Sequence, residues 1–101
     1  MFEAIGKPQT KIPHIFISTS GHITLSKSLY RKYFNGKKIQ VLHDSEIRRI
    51  GLKPVDYGSS YDELSGQFRC FDLTKIVTGT FYPEWNEKLG MLIFDYEETK
   101  P

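Results

Sequence analysis

A chain of 101 residues with 39% hydrophobic, 26% charged and 14% aromatic side chains suffices for one small globular domain and excludes a second independent core. Its one cysteine, Cys70, excludes an internal disulfide and a cysteine-cage metal site. No apolar run approaches the roughly 18 residues that cross a bilayer, and residues 1–9 lack the apolar stretch of a secretory signal, so the expectation is a soluble, cytoplasmic protein without membrane contact.

In chain order, residues 1–13 hold Gly6, Pro8 and Pro13 and read as an irregular arm. Ile15 and Ile17 alternate with polar or outward positions, and Ser20-Gly21 marks a turn before residues 22–25, predicting a short hairpin. Ser26 is a candidate N-cap for a helix over residues 27–34, in which Leu29, Tyr30, Tyr33 and Phe34 recur at helical spacing and Asn35-Gly36 supplies the stop. Residues 38–43 and 47–53 predict a second hairpin around Asp44-Ser45-Glu46, with Pro54 closing its second strand. Residues 55–65 read as an exposed connector. A strand over 67–71, a short helix over 72–78 capped by Asp72, a strand over 80–85, a turn over 86–90 and a strand over 91–96 complete the chain. The predicted core is Ile15, Ile17, Ile23, Leu25, Leu29, Phe34, Ile39, Val41, Ile50, Leu52, Phe68, Leu92 and Phe94.

The formal charge of +2 conceals a division: up to Pro54 ten basic residues stand against three acidic ones, and from Val55 onward four stand against nine. Such a division suits a basic face for a polyanion, two halves that attract one another within a chain or between copies, or an unevenly charged solvated surface. The halves also run in the same order, strand, helix, strand, turn, strand. Ser20-Gly21-His22-Ile23 matches Ser65-Gly66-Gln67-Phe68, and Ile47, Ile50 and Leu52 match Leu89, Leu92 and Phe94 at equal spacing. Duplication and a chance likeness of two strand–helix–hairpin stretches both produce such a pattern. The predicted fold is therefore α+β and β-rich, with residues 14–54 as a basic pseudo-repeat and 66–97 as an acidic one, together forming a small barrel with few open edges.

The run from Ser20-Gly21 through Ile23-Thr24-Leu25-Ser26-Lys27 to Leu29-Tyr30-Arg31, followed by Gly36-Lys37-Lys38-Ile39-Gln40-Val41 and Arg49-Ile50-Gly51-Leu52-Lys53-Pro54, resembles the AbrB/SpoVT swapped-hairpin family over residues 12–54. Ser26 stands where that family has proline, Gly36-Lys37 replaces its Gly-Asp, and the spacer between helix and hairpin is almost absent. The resemblance implies a swapped-hairpin barrel and a dimeric or pseudo-dimeric DNA-binding regulator or antitoxin. It also places His22 and Arg31 where the family often carries arginine.

The candidate nucleic-acid-binding residues are His22, Lys27, Arg31, Lys32, Lys37, Lys38, Arg48 and Arg49, since paired cations neutralise phosphates; a solvated face is the alternative use of the same charges. His14, His22 and His43 lack metal-ligand spacing, and Cys70 reads as an inert thiol inside an apolar strand. No cofactor, metal or catalytic residue is implied, and the reading is non-enzymatic. The alternative function is a protein-binding adaptor or inhibitor, of the kind a virus encodes, using Tyr82 and Trp85 on an aromatic strand that Pro83 confines to an edge.

Overall fold

The computed structural model describes residues 12–97; the residues before Ile12 in the predicted arm lie outside that span. Ten elements follow in order: β1 (Ile15–Ile17), β2 (His22–Leu25), α1 (Lys27–Tyr33), β3 (Lys38–Asp44), β4 (Arg49–Val55), β5 (Gln67–Arg69), α2 (Phe71–Ile76), β6 (Gly79–Phe81), β7 (Glu84–Asn86) and β8 (Met91–Asp95). They form two four-stranded antiparallel sheets, ordered β5-β2-β1-β6 and β3-β4-β8-β7. The β-rich α+β class follows from the alternation of apolar residues, which puts Ile15, Ile17, Ile23, Leu25 and Phe68 on one inner face and Ile39, Ile50, Leu52, Leu92 and Phe94 on the other. One cluster joins them with Leu29, Tyr30 and Phe34 of the α1 segment and Leu73 of α2.

The predicted closed barrel does not form. Pro83 has no N–H to give a ladder, and the single strand expected over residues 80–85 breaks there. β6 pairs with β1 in one sheet and β7 pairs with β8 in the other. Pro54, in contrast, does not end its strand, because β4 continues to Val55. The N–H and C=O of Ile39, which opposes Pro54, are both bound to Ser59 at 2.9 Å, so this is a non-hydrogen-bonded pair. The ladder to β8 has already ended at Leu52, and proline leaves no sheet bond unmade.

Several boundaries move for local reasons. Ile47 lies in the turn and is exposed rather than starting the strand. Cys70, not Asp72, is the N-cap of α2, and it is half-buried at that helix start instead of inside a strand. Ser26 does occupy the N-cap of α1 but makes no capping bond; its Oγ accepts from the His14 N–H at 2.9 Å. Val41 is half-buried beside the core, while Tyr30 and Leu73, absent from the predicted core, are buried.

The connector is more than an exposed loop. Ser59 bridges Ile39, Asp62 bridges Gln67, and Tyr61 stacks on Tyr30 with ring centroids 3.9 Å apart. Both phenols donate to backbone carbonyls, Tyr30 to Lys37 at 2.7 Å and Tyr61 to Leu25 at 2.6 Å. Burial, with the nearby Glu63 charge, pushes the Tyr61 phenol up to about 12 and raises Tyr30 also, so both keep the proton these bonds need.

At the β2–β5 and β4–β8 seams the two halves pair with a local twofold register, although β1 and β6 both lie on the β2 side of the first sheet. In each seam one central pair joins residues at corresponding places in the two halves, Ile23 with Phe68 and Gly51 with Ile93. The flanking pairs exchange across it, Ile50 with Phe94 and Leu52 with Leu92. Two backbone bonds are related in the same way, Leu25 N–H to Gly66 at 2.9 Å and Cys70 N–H to Gly21 at 3.0 Å.

Candidate functional site

With Ile23, Leu25 and Phe68 turned inward, strand alternation sends His22, Thr24, Gln67 and Arg69 to the outer face of the β2–β5 ribbon. Gln67 Nε2 donates to Thr24 Oγ1 at 3.2 Å, and His22 Nδ1 lies 3.0 Å from Ser20 Oγ. Beside them opens a cleft of about 490 Å³ lined by His22, Ser59, Ser60, Asp62, Gln67 and Arg69. Lys38 Nζ reaches Ser60 Oγ at 3.1 Å, and Lys27 Nζ reaches the Leu64 carbonyl at 3.3 Å. Asp62 is occupied within its own turn, accepting from the Leu64 N–H at 3.0 Å and the Ser65 hydroxyl at 3.1 Å. Among the described residues Arg69 has no ion pair, so its charge is available at the cleft.

The eight basic candidates do not share one face. His22, Lys27 and Lys38 border the ribbon. Arg31, Lys37 and Arg49 are instead engaged by the acidic half, with Glu63 at 3.9 Å, Asp56 at 3.1 Å and Asp95 at 2.7 Å. Of the three uses the charge division allows, attraction between the halves thus accounts for these three residues. Lys32 lies over the Tyr33 ring, 5.3 Å from its centroid, and Arg48 sits in the β3–β4 turn at φ +55°. Residues Thr24, Gln67 and Arg69 escaped the sequence reading, because only the pairing of β5 with β2 brings them beside His22.

Arg49 and Asp95 form the best-made of these pairs, with a second contact at 3.3 Å. The hydrogen bond from Arg49 and its charge hold the Asp95 carboxyl below its ordinary value. A depressed carboxylate stabilises the fold above the unfolded-state value near 3.9 and loses that contribution as pH falls through the folded-state value. Asp95 is mostly exposed, so the effect is small. Replacing Asp95 with Asn is expected to lower urea midpoints slightly at neutral pH and to leave them unchanged in strong acid, so that the acid limb below about pH 4 flattens.

A second opening, of about 530 Å³, lies where the chain passes between sheets. β7 pairs with β8 only from Met91 to Ile93, so Phe94 and Asp95 have no β7 neighbour, and the notch there is lined by Thr80, Tyr82, Glu84 and Trp85 among others. Tyr82 is 60% exposed. Trp85 is half-buried and stacks on Tyr33 with centroids 4.5 Å apart, so it serves packing as well as the notch. Among the described residues no helix is long and apolar enough to cross a membrane, and no group of three His, Cys, Asp or Glu is placed to hold a metal ion. Compared with protein-family models, curated proteins and solved structures, the chain matches none.

Proposed function

We propose that the chain is a non-enzymatic nucleic-acid-binding module, a regulator of the AbrB-like kind, that meets duplex DNA through the β2–β5 ribbon. The observation that carries the reading is the outward quartet His22, Thr24, Gln67 and Arg69 on β2 and β5, the edge pair of a four-stranded antiparallel sheet, beside a hydroxyl-lined cleft. Strands at a sheet edge can contact a DNA groove, and in the major groove Arg suits guanine and Gln suits adenine. Lys27 and Lys38 at the border supply the cations that phosphates would meet.

Gel shifts of random duplex DNA at low salt test this. Binding is expected, with affinity falling with salt at a log–log slope of about 0.9 per phosphate contact. Arg69→Glu with Lys38→Glu should weaken binding about tenfold or more, whereas Arg31→Glu with Arg49→Glu should matter less, since those cations are already paired in the chain. No shift at tens of micromolar protein overturns the reading. The notch then becomes the favoured site: its unpaired β8 edge and exposed Tyr82 suit an extended peptide segment of a protein partner, and Tyr82→Ala is the variant that removes it.

A further inference from the structure

The β3-β4-β8-β7 sheet is apolar on its inner face and carries an apolar strip between charged residues on its outer face. Ile50, Leu52, Leu92 and Phe94 fill the inner one. On the outer one, where an antiparallel sheet usually turns polar, stand Leu42, Gly51, Met91 and Ile93, with Ile47 and Leu89 in the hairpin turns at opposite ends. A shallow groove of about 190 Å³ runs among these six, with His43, Asp44 and Arg49 also on its lining. Ile47 is 56% and Leu89 48% exposed, and the thioether of Met91 lies across Gly51, where an added Cβ would meet its sulfur at 2.6 Å. Such a flexible, polarizable cover adapts readily to an opposing surface.

We propose that this face docks a second copy of the chain. The occupant is argued from charge. On the outer face β3 carries Lys38 and Asp44 and β4 carries Arg49 and Lys53, while β8 and β7 carry Asp95 and Glu84. A twofold axis running parallel to the strands between β4 and β8 sets each copy's β4 over the other's β8. The Arg49–Asp95 pair of each copy then lies antiparallel to that of the other, so that each Arg49 also faces the second copy's Asp95; Gly51 opposes Ile93 and Leu42 opposes Glu84. The perpendicular axis would set Arg49 against Lys53, so repulsion selects the first arrangement. Four strands about 4.8 Å apart and about 17 Å long present roughly 300 Å² per copy. That is less than half of the about 800 Å² per partner of a standard interface, so association is weak and concentration-dependent.

Sedimentation equilibrium of the whole chain at low salt, from micromolar to submillimolar concentration, tests the proposal without nucleic acid, so its outcome is independent of the DNA reading. The weight-average mass is expected to rise from 11.7 kDa toward twice that value. Ile47→Asp and Leu89→Asp, which lie in turns outside the strand ladders and whose folding circular dichroism checks, should each hold the chain at monomer mass. Added salt should weaken association. A monomer at every concentration overturns the proposal. So does self-association that survives both turn substitutions, or that Tyr82→Ala alone abolishes.

Discussion

Leu92→Ala is expected to lower stability by about 2–5 kcal/mol, a large share of the about 5–15 kcal/mol that holds a domain together. Leu92 is fully buried and sits between Leu52 of β4 and Trp85 of β7. Within this sheet the basic and acidic halves join only where β4 meets β8, so the cavity opens on that seam and neighbours from both halves must collapse to fill it. Denaturant unfolding should show a lower midpoint with an unchanged slope. Leu52→Ala should cost a similar amount. Because the two side chains face each other across the ladder, the double variant should depart from the sum of the singles. A loss below about 0.5 kcal/mol for Leu92→Ala would mean that the seam is not a packed core.

Gly21→Ala is expected to cost about 2–4 kcal/mol, combining backbone strain with overpacking. Gly21 holds φ +91°, and a Cβ there would stand 2.9 Å from the ring of Phe71, the first residue of α2. Gly36 is the control, since at φ +89° it has nothing within 4 Å of the added atom. Gly36→Ala should carry the strain alone, about 1–2 kcal/mol. The difference between the two variants, read from urea midpoints, isolates the contact with Phe71. Trimming Phe71 to Ala in the Gly21→Ala background should recover that difference. Equal costs for the two glycine variants would show that the Phe71 ring yields freely.

What the sequence discloses here is what short-range rules control. The stop at Asn35-Gly36 is realised with both residues at positive φ, the first hairpin and α1 fall close to their predicted places, and twelve of the thirteen expected core residues are buried. Tyr30 was legible within the helical stripe, yet its burial depends on Tyr61 arriving from the connector. Leu73 stands almost alone in a six-residue helix, too short for periodicity to speak. Pro83 was readable as a break in pairing but not as a change of sheet, because strand partners are set by tertiary register. The candidate site was half visible for the same reason. His22 could be named from the chain, while Arg69 comes beside it only through the β2–β5 ladder, and the neutralisation of Arg31, Lys37 and Arg49 depends on acids 19 to 46 residues away.

The local axis through Ile23–Phe68 and Gly51–Ile93 frees this chain from a constraint that binds a pair of identical subunits. In a homodimer every residue beside the axis appears twice, so a favourable change on one side is imposed on the other. Here the corresponding places hold different chemistry, His22 against Gln67 and Thr24 against Arg69, and one flank can specialise while the other keeps its own contacts. Joining the flanks covalently also removes their dependence on protein concentration. Dilution that would separate weakly held protomers leaves this seam intact, so a ribbon with unlike sides remains assembled even where only a few copies of the chain are present.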